Sequence, residues 1–203
     1  MSNLFKNKYR IPTTRLQTWN YANQGVYFIT ICTANRKCYF GKIEEEIVVL
    51  NDPLEKDQKS SNQKLNIKLH LSEIGQFAAK EWIRTAEIRT DMNLYLGEFV
   101  IMPNHIHGII GIGENKYNKE LIELGEKNNE FGPQSKNLAA IVRGYKSSIT
   151  TFAKKNNISF KWQTRFHEHI IRDQQDHDNI SNYIRNNPLW WKKDSLFSDQ
   201  EKD

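Results

Sequence analysis

The stretch from Leu94 to Ile112 constrains this chain more than any other part of it. Two segments rich in β-branched and aromatic residues, Leu94 to Ile101 and His105 to Ile112, flank Met102-Pro103-Asn104. Branched apolar side chains favour a pleated backbone, and proline followed by asparagine favours a turn. The chain is therefore expected to form two joined strands here. Gly25 to Ala34 (GVYFITICTA) reads as a buried strand, and Glu46 to Leu50 as a second one.

Helical spacing appears in three places. Ser72 predicts the cap of a helix to about Ile88, with Ile74, Phe77, Ala78, Trp82 and Ala86 on one face. Leu138 to Lys155 predicts a second, whose buried stripe is Leu138, Ile141, Val142, Tyr145, Ile149 and Phe152. Arg143, Lys146, Thr150 and Lys154 project from its other side. Trp162 to Arg172 reads as extended, after which Asp173 caps a last helix ended by Pro188. The polar stretches near 51–68 and 113–136 read as surface insertions in one domain spanning 1–203. The order β, β, α, β, β, α, β, α predicts an α+β fold: a mainly antiparallel sheet with helices on one side. A ferredoxin-like core is one such layout.

Composition narrows the function classes. With 38% hydrophobic and 26% charged residues the 203-residue chain can build a core and is not disordered as a whole. It has no run of about 18 apolar residues, and the basic segment Met1 to Arg10 is not followed by a signal peptide's apolar stretch. No membrane partner is expected, and the cytoplasm is the expected location. Cys32 and Cys38 form no CxxC pair and read as two reduced thiols. A net charge of +5 and a pI of about 9.1 favour an anionic partner such as nucleic acid.

Chemistry is concentrated in Pro103-Asn104-His105-Ile106-His107-Gly108. On a strand, residues two apart share a face, so both imidazoles project together and can bind one divalent ion. The alternative is a pair of surface histidines beside a turn. Gly108 would let a backbone or ligand come close. The residue two beyond His107 is Ile109, which fits neither a histidine-triad nucleotide-binding site nor a phosphoesterase with a hydroxyl residue two beyond each histidine. On the last helix Tyr183 and Asn187 are four apart and share a face with polar neighbours Asn179 and Asn186, which leaves the phenol accessible. The alternative is a packing tyrosine with an asparagine cap. Tyr145 lies in register with Ile141, Val142 and Ile149 and is assigned to the core.

Taken in order, GVYFITICTANRKCYFG, FVIMPNHIHGII, LAAIVRGYKSSIT and KWQTRFHEHIIRDQQDHDNISNYIRNNPLWW resemble the REP-associated tyrosine transposases. These belong with the single-tyrosine transposases of bacterial insertion sequences, within the HUH endonucleases. The resemblance covers most of residues 10 to 192 outside the two insertions.

That resemblance implies an HUH core in which His105 and His107 ligate Mg2+ or Mn2+, with Asn187 as third ligand and Tyr183 as nucleophile. It also implies cleavage and rejoining of single-stranded or hairpin DNA through a 5′-phosphotyrosine intermediate, by a monomer or a homodimer. Arg143, Lys146 and Lys154 then offer a phosphate track, and Lys192 and Lys193 place charge beside Trp190 and Trp191 for stacking on unpaired bases. His167 and His169 form a second HxH; His169 is expected to be structural or to support the metal ligands, with a four-histidine hydrolase as the alternative. A metal-dependent nuclease or hydrolase that uses activated water and leaves Tyr183 a bystander is one rival reading. A catalytically idle DNA-binding relative is another.

Overall fold

The computed structural model describes residues 19–49, 63–118 and 135–198. In order these form strands β1 (Gly25–Cys32), β2 (Gly41–Val49) and β3 (Gln63–Leu71), helix α1 (Glu73–Glu87), and strands β4 (Leu94–Ile101) and β5 (His105–Ile112). Helix α2 (Leu138–Lys155), strand β6 (His167–Ile171), helix α3 (Gln174–Asn186) and a 3-10 helix over Asn187–Lys193 follow. Ser72, Asn137 and Asp173 cap the three α-helices by accepting from the amides of Gly75, Ala140 and Asp176.

β4, β5, β1 and β6 lie side by side in that order, and every pairing is antiparallel. Reading β1-α1-β4-β5-α2-β6 along the chain, this is the strand order of a ferredoxin-like fold. β2 and β3 form a separate two-stranded hairpin inserted between β1 and α1. The structure thus corrects the reading of 51–68 as one loop, since Gln63 to Lys68 belongs to β3. Alternating apolar residues at Leu65, Ile67, Leu69 and Leu71 carry that strand signal, and the lysine-rich composition around them obscured it. The rest of the first insertion, and 119–134 of the second, lie outside the described residues.

β1 and β5 occupy the middle of the sheet, and all eight residues of β5 are buried. On one face Tyr27, Ile29, Ile31, Ile106, Ile110 and Ile112 pack against Ile74, Ala78 and Trp82 of α1 and Ile141, Tyr145 and Ile149 of α2. On the other, Ile109 and Ile171 pack against Ile184 of α3, joined by Phe28 and Ile180. The helices are therefore not on one side. α3 closes the second face, and its apolar residues leave room only for a narrow cluster there.

Gly108 has its own reason. A Cβ built on it would lie 2.2 Å from Cζ2 of Trp82, so this glycine admits the α1 indole from behind the sheet and not a ligand from the front.

Candidate metal and nucleophile site

The strand alternation that sends Ile106 into the helical core sends His105 and His107 to the α3 face. Their ring centroids are 4.4 Å apart. Both are buried, and burial pushes each imidazole down to about 3, so both are neutral near pH 7 with a lone pair to offer. A weaker repulsion from His105 adds to the lowering at His107.

Each ring is aimed by a hydrogen bond at Nδ1. His105 Nδ1 donates to Oδ1 of Asn104 at 2.8 Å, which leaves Nε2 unprotonated. His107 Nδ1 lies 2.9 Å from Oγ1 of Thr30, its cross-strand partner on β1. With Nδ1–H donating there, His107 Nε2 also faces the site as an acceptor, and the Tyr183 phenol donates to it at 3.2 Å.

α3 and the 3-10 helix supply the other wall. Asn187 stays helical in its backbone (φ −55, ψ −41), so it remains on the same face as Tyr183 and is buried. Tyr183 is 47% exposed: its ring edge packs on Phe28 and His107, while the rest of the ring is open to a ligand. Burial, then the nearby negative Asp194, raise its pKa, and the amide of Asn187 offsets part of this. The phenol is therefore protonated at neutral pH in the metal-free protein.

Asp194 completes the group, and sequence reasoning missed it. Its carboxylate accepts from Nδ2 of Asn187 at 2.8 Å and lies 3.9 Å from Nε2 of His105. His105, His107 and Asp194 each present one ligand atom within 4.8 Å of the others, a spacing a single cation can bridge. Two buried atoms here, Nε2 of His105 and Oδ1 of Asn187, have no hydrogen-bond partner. An orphaned imidazole lone pair and an orphaned amide oxygen beside a carboxylate are a donor set that fits a metal cation. No local motif marks Asp194; the only signal was an acidic residue in the otherwise basic WWKKD run.

The remaining predicted residues fall into two groups. Trp190 is exposed with the Lys193 ammonium 4.8 Å from its ring centre, and Lys192 pairs with Glu45 of β2. Trp191 instead is buried against His105 and Phe197. Arg143, Lys146 and Lys154 sit on α2, across the sheet from the histidines. Lys146 there donates to the carbonyls of Gln163 and Arg165, and burial lowers its pKa. Tyr145 is buried in the core with its hydroxyl on the carbonyl of Ala78, as its register predicts.

His167 and His169 do not join the metal-ligand group found among the described residues. His169 is exposed and bonds Asp176 at 2.8 Å, tying β6 to the first turn of α3.

No family model matches the chain. Over 193 residues it is 35% identical to an uncharacterized protein of Haemophilus influenzae, covering 91% of this chain and 92% of that one. Among solved structures, a REP-associated tyrosine transposase bound to a REP hairpin is similar with a TM-score of 0.52 at 18% identity. That similarity covers 88% of this chain and 73% of the other. Among the described residues no helix is long and apolar enough to cross a membrane.

Proposed function

We propose a DNA strand transferase, on the premise that this chain belongs to one family with the Haemophilus influenzae protein and has the fold of a REP-associated tyrosine transposase. The observation that supports this most is the Tyr183 phenol, half exposed and 3.2 Å from a buried histidine that, with His105 and Asp194, could hold a cation.

His105, His107 and Asp194, with Asn187 close by, would hold one Mn2+ or Mg2+. Such an ion, when bound, withdraws charge from a phosphodiester oxygen and stabilises a departing alkoxide. Tyr183 supplies the nucleophile: its oxygen bonds to phosphorus as the bond from phosphorus to the 3′-oxygen breaks. The proton lost by the phenol is matched by one gained at the freed 3′-hydroxyl, so no net proton is consumed. The product is a 5′-phosphotyrosine, which keeps the ester's energy, so a 3′-hydroxyl can later displace Tyr183 and rejoin the strand. Phe28 and His107 restrict the phenol ring, which holds its oxygen toward the site.

The solved transposase is bound to a REP hairpin, which supports single-stranded or hairpin DNA as the substrate class here. Trp190 beside Lys193, next to the site on the 3-10 helix, suits an unpaired base and its phosphate. Mixing the protein with single-stranded DNA and Mn2+ tests the reading. A protein–DNA adduct that resists denaturation and requires Tyr183 is expected. Cleaved DNA with no adduct would replace this reading by a hydrolase, and binding without cleavage by an idle relative.

A further inference from the structure

Asn104 takes no part in the chemistry above, yet it is fully buried and its carboxamide uses both ends. Oδ1 accepts from Nδ1 of His105 at 2.8 Å. Nδ2 donates to the carbonyl of Leu196 at 2.9 Å, to Oγ of Ser198 at 3.1 Å and to the carbonyl of Arg36 at 3.0 Å. Three acceptors around the nitrogen fix which end of the amide is which. The backbone carbonyl of Asn104 is also held, by the amide and hydroxyl of Thr33. The side chain cannot turn without breaking its bonds to His105, Arg36, Leu196 and Ser198.

The two sides it joins each carry a ligand. His105 is one. The other is the segment after the 3-10 helix, where the Leu196 amide donates to Oδ1 of Asp194 at 2.7 Å. That segment has no sheet ladder to fix it. It is held by side chains: Arg36 donates to the carbonyl of Ser195 and Ser198 donates to the carbonyl of Arg36. We infer that Asn104 is a positioning residue, which locks the His105 ring with Nε2 toward the site and docks residues 194–198 so that the Asp194 carboxylate meets it. The inference rests on the metal reading of the site. Its physical basis is that ligands on independent chain segments need a shared support, and loss of such a support costs a metal site about 10- to 100-fold in affinity.

A double-mutant cycle tests this with Asn104→Ala, a truncation after Ser195, and the two combined. Mn2+ affinity is read by electron paramagnetic resonance, and protection of the amides between Asp194 and Ser198 by hydrogen exchange. Each single change is expected to weaken Mn2+ binding by about tenfold or more. The combination should fall short of the product, because both act through one contact set. In Asn104→Ala the amides near Asp194 should lose protection while those of α1 keep theirs. Should Asn104→Ala not fold, Asn104→Asp keeps the acceptor for His105, loses the donors, and should match the truncated protein. Unchanged affinity in the truncated protein, or effects that multiply in full, would overturn the inference. A parent protein that binds no Mn2+ would overturn the metal reading itself.

Discussion

The Asp194 carboxylate stands 3.9 Å from Nε2 of His105, the one brought by a short 3-10 turn and the other by a central strand. The imidazole nitrogen has no hydrogen-bond partner, while the nearly buried carboxylate accepts from the Asn187 side chain and the Leu196 amide. A buried imidazole lone pair without a donor beside a buried negative charge is costly, and a cation shared between them lowers the cost. Asp194→Asn should therefore weaken Mn2+ binding by roughly 10- to 100-fold while changing the metal-free fold little. Titration of Mn2+ against the variant and the parent checks it; equal affinities would move the third ligand back to Asn187.

Tyr183→Phe should abolish the covalent DNA adduct. Because the ring is half exposed, stability should change by no more than about 0.5 kcal/mol. Tyr145→Phe should keep the adduct and lose about 1 kcal/mol, the net worth of the buried hydroxyl's bond to the Ala78 carbonyl. Gel mobility after denaturation and urea unfolding read both. The opposite pattern would transfer the nucleophile to Tyr145.

Acid should destabilise the metal-free protein through its two site histidines. Each has a folded-state value of about 3 against 6.5 when free, so the unfolded chain binds more protons between those limits. Stability contributed by keeping the rings neutral is complete above about pH 6.5 and declines as pH falls toward 3. Urea midpoints at pH 7.5 and 5 should show this decline, and the double variant His105→Asn/His107→Asn should show less of it. An equal decline in both proteins would mean that other groups carry the acid sensitivity.

Gly108→Ala places a methyl 2.2 Å from the Trp82 indole, behind the histidine strand. Overpacking there should cost about 1–3 kcal/mol and lower the melting temperature. Trp82→Phe in the same chain should recover part of the loss. A Gly108→Ala protein as stable as the parent would show that α1 can shift away from β5.

Trp190→Ala should weaken binding of single-stranded DNA by about 1–3 kcal/mol without lowering stability, because the ring is exposed. Lys146→Ala should do the reverse, since its ammonium is spent on the carbonyls of Gln163 and Arg165. Fluorescence anisotropy and thermal unfolding separate them.

The elements themselves were legible in the residue order. β4, β5 and α2 fall on the predicted bounds, and alternation alone places His105 and His107 on one face with Ile106 on the other. The spacing of Tyr183 and Asn187 held as well, even across the residue before Pro188. These features follow from backbone periods of two and 3.6 residues, which a few neighbouring side chains reveal. β3 was equally periodic but sat inside a polar run. What the sequence could not supply was the side of the sheet that α3 covers, and hence whether its phenol meets the imidazoles. Nor could it supply Asp194, whose place depends on Asn104 and Arg36, far away along the chain. Contacts of that kind are settled by how finished elements pack together, and no local pattern encodes them.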